Sequence, residues 1–122
     1  MYEYKLKITR VIDGDTVDAL IDCGFGILLQ KRIRLSNINA PETRTKDKEE
    51  KKRGIKAKDR LKELIKEHKG HLTVKTRLDK TGKFGRVLGV LLAKYQDSGY
   101  QGRYLNLNQQ LLDEGVVQLY EV

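Results

Sequence analysis

The feature that most restricts the fold is a two-residue alternation repeated through the first part of the chain. Tyr4, Leu6 and Ile8 fall on one side of residues 4–11, with Lys5, Lys7 and Thr9 on the other. Val17, Ala19 and Ile21 repeat the pattern over residues 16–22. Residues two apart share a face of a strand, so both segments read as half-buried strands. A third strand, about residues 27–36, is rich in Ile and Leu, and its polar side carries Arg32 and Arg34 together. The connections are short. Asp13-Gly14-Asp15 and Cys23-Gly24-Phe25-Gly26 both have the chemistry of turns. The three strands can therefore be neighbours in one sheet.

Ser36 to Thr45 is a loop containing the only proline, Pro41. The mixed charge run from Lys46 to Arg53 is expected to be a solvated, mobile loop entering a helix. Ala57, Leu61, Leu64, Ile65 and His68 then fall on one helical stripe, with Gly70 as a stop. Leu72, Val74, Thr76 and Leu78 alternate as a fourth strand, and residues 79–85 form a turn. Val87 to Tyr95 is nearly continuous apolar sequence, as in a central strand. After a polar loop, Leu105 to Glu114 has helical character, with Asn106 or Asn108 as a cap and Gly115 at its end. The apolar tail, Val116 to Val122, can pack on its own barrel or on a neighbour's. This order gives an α+β, mainly β, chain: a five-stranded OB-type barrel with a helix between strands 3 and 4 and a second helix near the C-terminus. At 122 residues the chain is expected to be one domain, 1–122.

On neighbouring strands, the Asp13-Gly14-Asp15 turn and the stretch from Arg34 to Thr43 bring carboxylates and a guanidinium to one place. Carboxylates attract a hard cation such as calcium, and a guanidinium grips a phosphate with two parallel hydrogen bonds. Cleaving a phosphodiester needs charge stabilised on the phosphoryl oxygens and a carboxylate within reach of the attacking water. Asp15, Arg34, Glu42 and Arg86 supply one candidate for each part. Each also has a plainer explanation: turn formers at Asp13 and Asp15, an Arg34–Glu42 salt bridge, a helix entry at Pro41-Glu42, an exposed strand start at Arg86. All four together would be a coincidence.

The net charge of +8 suits a polyanionic partner, or serves solubility alone. Cys23 is the only cysteine, so neither an intrachain disulfide nor a cysteine metal cluster can form. His68 and His71 read as surface residues near a helix end. The N-terminal residues have no apolar run resembling a signal peptide, which gives a cytoplasmic expectation, and no run approaches transmembrane length. Partners are expected to be single-stranded DNA or RNA and not a membrane, with the chain a monomer unless its tail pairs with a neighbour's barrel. Few aromatic residues, 7%, and no tryptophan argue against a sugar-stacking surface.

Four segments, in order, carry a resemblance: Ile12-Asp13-Gly14-Asp15-Thr16-Val17, Arg34-Leu35 with Ala40-Pro41-Glu42-Thr43, Gly82-Lys83-Phe84-Gly85-Arg86, and Leu107-Asn108 leading to Gly115. Together they resemble the staphylococcal nuclease (thermonuclease) family over nearly the whole chain. The resemblance implies a calcium-dependent phosphodiesterase of DNA and RNA on an OB barrel. It implies Asp15 as a calcium ligand, Asp13 in the outer shell of the metal, and the Ala40 carbonyl as a main-chain contact. It implies Glu42 as the base that activates water, and Arg34 and Arg86 as the pair holding the scissile phosphate. Lys83 and Phe84 match positions around the nucleotide's terminal phosphate, and Tyr120 lies near the tyrosine that packs on a base. There are two departures. Asn39 stands where the family most often has an aspartate, removing one negative charge from the proposed metal site while keeping an oxygen that can ligate calcium. The family's chain also usually continues into a third helix. The rival expectation is a nuclease-like barrel without catalysis that grips nucleic acid or a protein.

Overall fold

The structure of the chain, a computed structural model, describes residues 2–77, 86–94 and 104–120, with the backbone but not the side chain of Arg86. The turn expected at 79–85, which includes Lys83 and Phe84, and most of the loop expected after Tyr95 lie outside the described residues.

Three strands open the chain: β1 (Glu3–Asp13), β2 (Thr16–Asp22) and β3 (Leu28–Leu35). They pair antiparallel, with Leu6 opposite Ile21, Val11 opposite Val17, and Val17 in turn opposite Ile33. There follow β4 (Ile38–Asn39), α1 (Lys48–Glu67), β5 (Leu72–Arg77), β6 (Arg86–Lys94), β7 (Tyr104–Asn106), α2 (Leu107–Asp113) and β8 (Gln118–Leu119). β5 pairs with the other edge of β1, and β6 pairs with β5. β6 also runs parallel to β3, with Ile33 opposite Val87 and Arg34 opposite Leu88. That last pairing closes five strands into a barrel and leaves no long edge among them. Val17, Ile33, Leu35, Val74 and Leu91 fill the interior, capped by Leu61 and Leu64 of α1 and by Leu107 and Leu111 of α2.

The charge run is not the mobile loop expected of it. α1 already begins at Lys48, because the Asp47 carboxylate accepts from the backbone N–H groups of Glu49 (3.0 Å) and Glu50 (3.2 Å). This is the N-cap arrangement, and the two glutamates in the first turn favour the helix dipole. Charged residues make a weak periodic signal, but they are good helix formers once capped. Pro41-Glu42 is not a helix entry, since α1 starts six residues later.

α2 starts at Leu107 rather than Leu105, with Asn106 as its cap (Oδ1 accepting from Gln109 N–H, 3.0 Å). Asn108 is instead buried. Its Oδ1 accepts from Leu91 N–H, and its amide donates to the carbonyls of Ser36 and Gly89. It thus ties α2 to β6 and to the end of β3. The tail packs on its own barrel: β8 pairs with β4, Leu119 opposite Ile38, and Val117 is buried. Two-residue strands are too short to show alternation, which is why neither was visible in the sequence. Among the described residues no helix is long and apolar enough to cross a membrane.

Candidate active site

The Asp13-Gly14-Asp15 turn is anchored from beneath. The Asp15 carbonyl accepts from Leu35 N–H at 2.7 Å, fixing the turn to the end of β3. A Cβ on Gly14 would lie 2.7 Å from the Ala57 methyl and 3.0 Å from that of Ala40. Only a glycine lets the turn press against both the helix and the loop.

The same turn holds that loop at two points. Asp15 Oδ2 accepts from Ala40 N–H at 2.8 Å, and Asp13 Oδ1 accepts from the Thr43 hydroxyl at 2.6 Å. Glu42 lies between the two clips. Its side chain is exposed and has no hydrogen bond or ion pair with any described residue. From below, the loop rests on Gly54, where a Cβ would lie 2.6 Å from the Glu42 carbonyl oxygen and 2.7 Å from that of Pro41. A glycine inside a helix costs about 1 kcal/mol relative to alanine. Here it admits the close approach of the loop backbone.

Arg34 reaches across from β3. Its Nη1 donates to the Leu35 carbonyl at 2.9 Å and its Nη2 to Asn39 Oδ1 at 3.2 Å. The nearest carboxylate is Asp15, at 3.5 Å, and not the Glu42 partner that a simple salt bridge would need. Tyr120 completes the surround, with Arg34 Cζ 5.9 Å from its ring centroid, within cation–π range. Tyr120 is held by its N–H donating to the Asn37 carbonyl at 2.8 Å, next to the β4–β8 pair. Asp15, Asn39, Arg34, Asp13, Ala40 and Tyr120 are thus linked in one place. Arg86 stands opposite Arg32 in the register of β3 and β6, two residues from the Arg34–Leu88 pair.

Arg32 and Arg34 share a strand face but are used differently. Arg32 meets Asp18 with two bonds, at 2.8 and 3.2 Å, and its guanidinium holds that carboxyl below the usual range. Arg34 has no such two-pronged partner among the described residues. The oxygen donors around it are the carboxylates of Asp13 and Asp15, the Asn39 amide and the Ala40 carbonyl. Each carboxylate oxygen can accept a second partner beyond the bond it already makes. An all-oxygen set suits a hard cation such as calcium, although among the described residues no three His, Cys, Asp or Glu side chains gather at one point.

Two contributors carry no role in the sequence reading. Thr43 belongs to a recognised motif, but its hydroxyl bond to Asp13 depends on the folded loop. Gly54 had a signal, an isolated glycine inside a helical pattern, masked by the charge run around it.

The family model described as staphylococcal nuclease homologue matches residues 32–122. A micrococcal nuclease from Shigella flexneri is 30% identical over 118 residues, which cover 97% of this chain and 59% of that protein. Protein ParB from Escherichia coli is 27% identical over 118 residues, covering 97% of this chain and 58% of its own length. The chain therefore spans about three fifths of the length of these curated relatives.

Proposed function

The chain belongs to the staphylococcal nuclease family, and from that premise we propose that it is a calcium-dependent nuclease hydrolysing phosphodiester bonds of DNA and RNA. The observation that carries this reading is that Glu42, on a loop held by its backbone and without a partner among the described residues, lies beside an Arg34 whose one carboxylate contact, to Asp15, is a single long one at 3.5 Å. Arg34 binds the scissile phosphate and stabilises the charge that builds on its oxygens, the contribution expected to dominate such a reaction. Arg86 adds a second guanidinium. Glu42 takes the proton of the attacking water, for which an exposed carboxylate without a competing cation is suited. Asp15, Asn39 and the Ala40 carbonyl would hold calcium, with Asp13 behind them. Bound there, the ion would supply positive charge at the phosphate. Lys83 and Phe84 contact the nucleotide's terminal phosphate and surroundings, and Tyr120 offers a face for a base.

Single strands are preferred, because an unpaired base stacks on an aromatic ring without the cost of leaving a duplex. The test is incubation of the purified protein with single-stranded DNA and RNA at millimolar calcium, then with a chelator. Cleavage that stops on chelation is expected. Intact binding without cleavage at any calcium concentration would favour the binding-module reading instead.

A further inference from the structure

A groove of about 690 Å³ runs between β1 and α1, away from the cluster just described. We propose that it is a track for the sugar–phosphate backbone of a nucleic-acid strand extending from the Arg34 site. Its walls carry Lys7 and Arg10 from β1, Lys58, Lys62 and Lys66 from α1, and Lys69 from the turn that follows it, and no lining residue is acidic or aromatic. None of the five lysines has a carboxylate within ion-pair distance among the described residues. The helix sorts its charges by flank. Arg60 pairs with Glu63, Glu67 and Glu114, and none of these carboxylates lines the groove.

The row is continuous with the site. Lys58 follows Ala57, the residue against which Gly14 packs, and Arg10-Val11 leads directly into Asp13. From Lys58 to Lys66 the helix rises about 12 Å, and Lys69 lies beyond its end, so the row can follow at least two nucleotides of the about 4–16 that single-strand sites on this fold engage. Lysines are point charges that hold phosphates without reading sequence. Without aromatic walls the groove offers nothing for bases to stack on, so the backbone is the part it fits. The aliphatic residues of the groove, Ile8 and Ile65 among them, are half-buried against the core, which leaves little apolar surface for a bilayer. The inference rests on the nuclease reading only for its choice of polyanion.

The test is binding of oligothymidylates of 4 and 25 nucleotides, without calcium, across a salt series. It compares wild type with Lys58→Gln/Lys62→Gln/Lys66→Gln and with Lys5→Gln/Lys75→Gln/Lys94→Gln, which removes equal charge outside the groove. The groove variant is expected to bind the 25-mer about tenfold more weakly at low salt, with the salt slope reduced by about 2 and 4-mer binding unchanged. The control variant should keep most of the 25-mer affinity. Equal losses in both variants, or equal losses for both lengths, would overturn the proposal. So would loss of binding to phosphatidylserine vesicles with 25-mer binding intact. Cleavage by wild type, scored separately, tests the nuclease reading, so either idea can fail alone.

Discussion

Arg34 and Arg60 both sit among carboxylates, yet they are built for different ends. Arg60 meets Glu114 with two short bonds, 2.6 and 3.0 Å, and adds Glu63 at 3.0 Å. Its guanidinium holds the Glu114 carboxyl below the usual range, helped by the Gln110 amide. Such a fork-to-fork pair fills the arginine's donors and ties α1 to the end of α2. Arg34 is more enclosed, with 13% of its side chain exposed against 28% for Arg60. Even so its short bonds go to neutral oxygens, and its ion pair is stretched to 3.5 Å. Neutral acceptors aim a guanidinium without cancelling its charge. Arg60 is filled by two-pronged carboxylate bonds; Arg34, with one long carboxylate contact, is the arginine proposed to meet an incoming phosphate.

The sharpest way to break this contrast is to remove each arginine in turn. Arg34→Ala should lower turnover on single-stranded DNA by about a hundredfold or more, the scale of losing a charge-stabilising donor, a larger effect than its cost in thermal midpoint. Arg34→Lys should recover only part of it, lacking the two-pronged geometry. Arg60→Ala should lower the thermal midpoint with turnover retained. Kinetics and melting of the three variants check both halves.

Next in size is the helix beneath the loop. Gly54→Ala improves helix propensity but places a methyl against the Glu42 and Pro41 carbonyls. The displaced loop should cost about ten- to a hundredfold in turnover, as small misplacements of a catalytic group do. Unchanged kinetics would mean Glu42 does not need its present position.

Asn39→Asp should have a smaller effect. It restores a charge near the proposed calcium ligands, so half-maximal cleavage should need severalfold less calcium. It also gives Arg34, bonded to Asn39 at 3.2 Å, a charged partner, so turnover at saturating calcium should fall as Arg34 comes to resemble Arg60. Calcium titrations of both proteins, by calorimetry and by rate, separate the two effects.

The smallest expected effect is on acid stability. Glu114 has a folded-state pKa lowered from 4.5, so its contribution is present above that value and is lost as pH falls through the lower folded value. Glu114→Gln should be less stable than wild type at neutral pH, and the two should converge in acid, as followed by denaturant titrations at several pH values.

The barrel was legible because alternation and turn chemistry act locally: Leu6, Ile8, Val17 and Ile21 announce their strands without help from distant residues. The start of α1 was not, because one capping aspartate converts a charged run into helix and leaves no periodic trace. The site was half legible. Asp15, Arg34 and Glu42 could be named from motifs, but which of Arg32 and Arg34 is taken up by a two-pronged carboxylate lies in the register that puts Asp18 opposite Arg32. Asn108 shows the same limit. As an available cap it was ordinary, and only the packed barrel reveals it as a buried tie between three segments.

Of the three arginines, Arg34 is the one proposed to bind phosphate, since Arg32 and Arg60 each already grip a carboxylate with two bonds. The most direct measurement follows the side-chain resonances of all three arginines by NMR while a cleavage-resistant phosphorothioate oligonucleotide is titrated in. The Arg34 guanidinium signals should shift with saturation while those of Arg32 and Arg60 stay in place. Saturable shifts at Arg32 or Arg60 with Arg34 unmoved would contradict it.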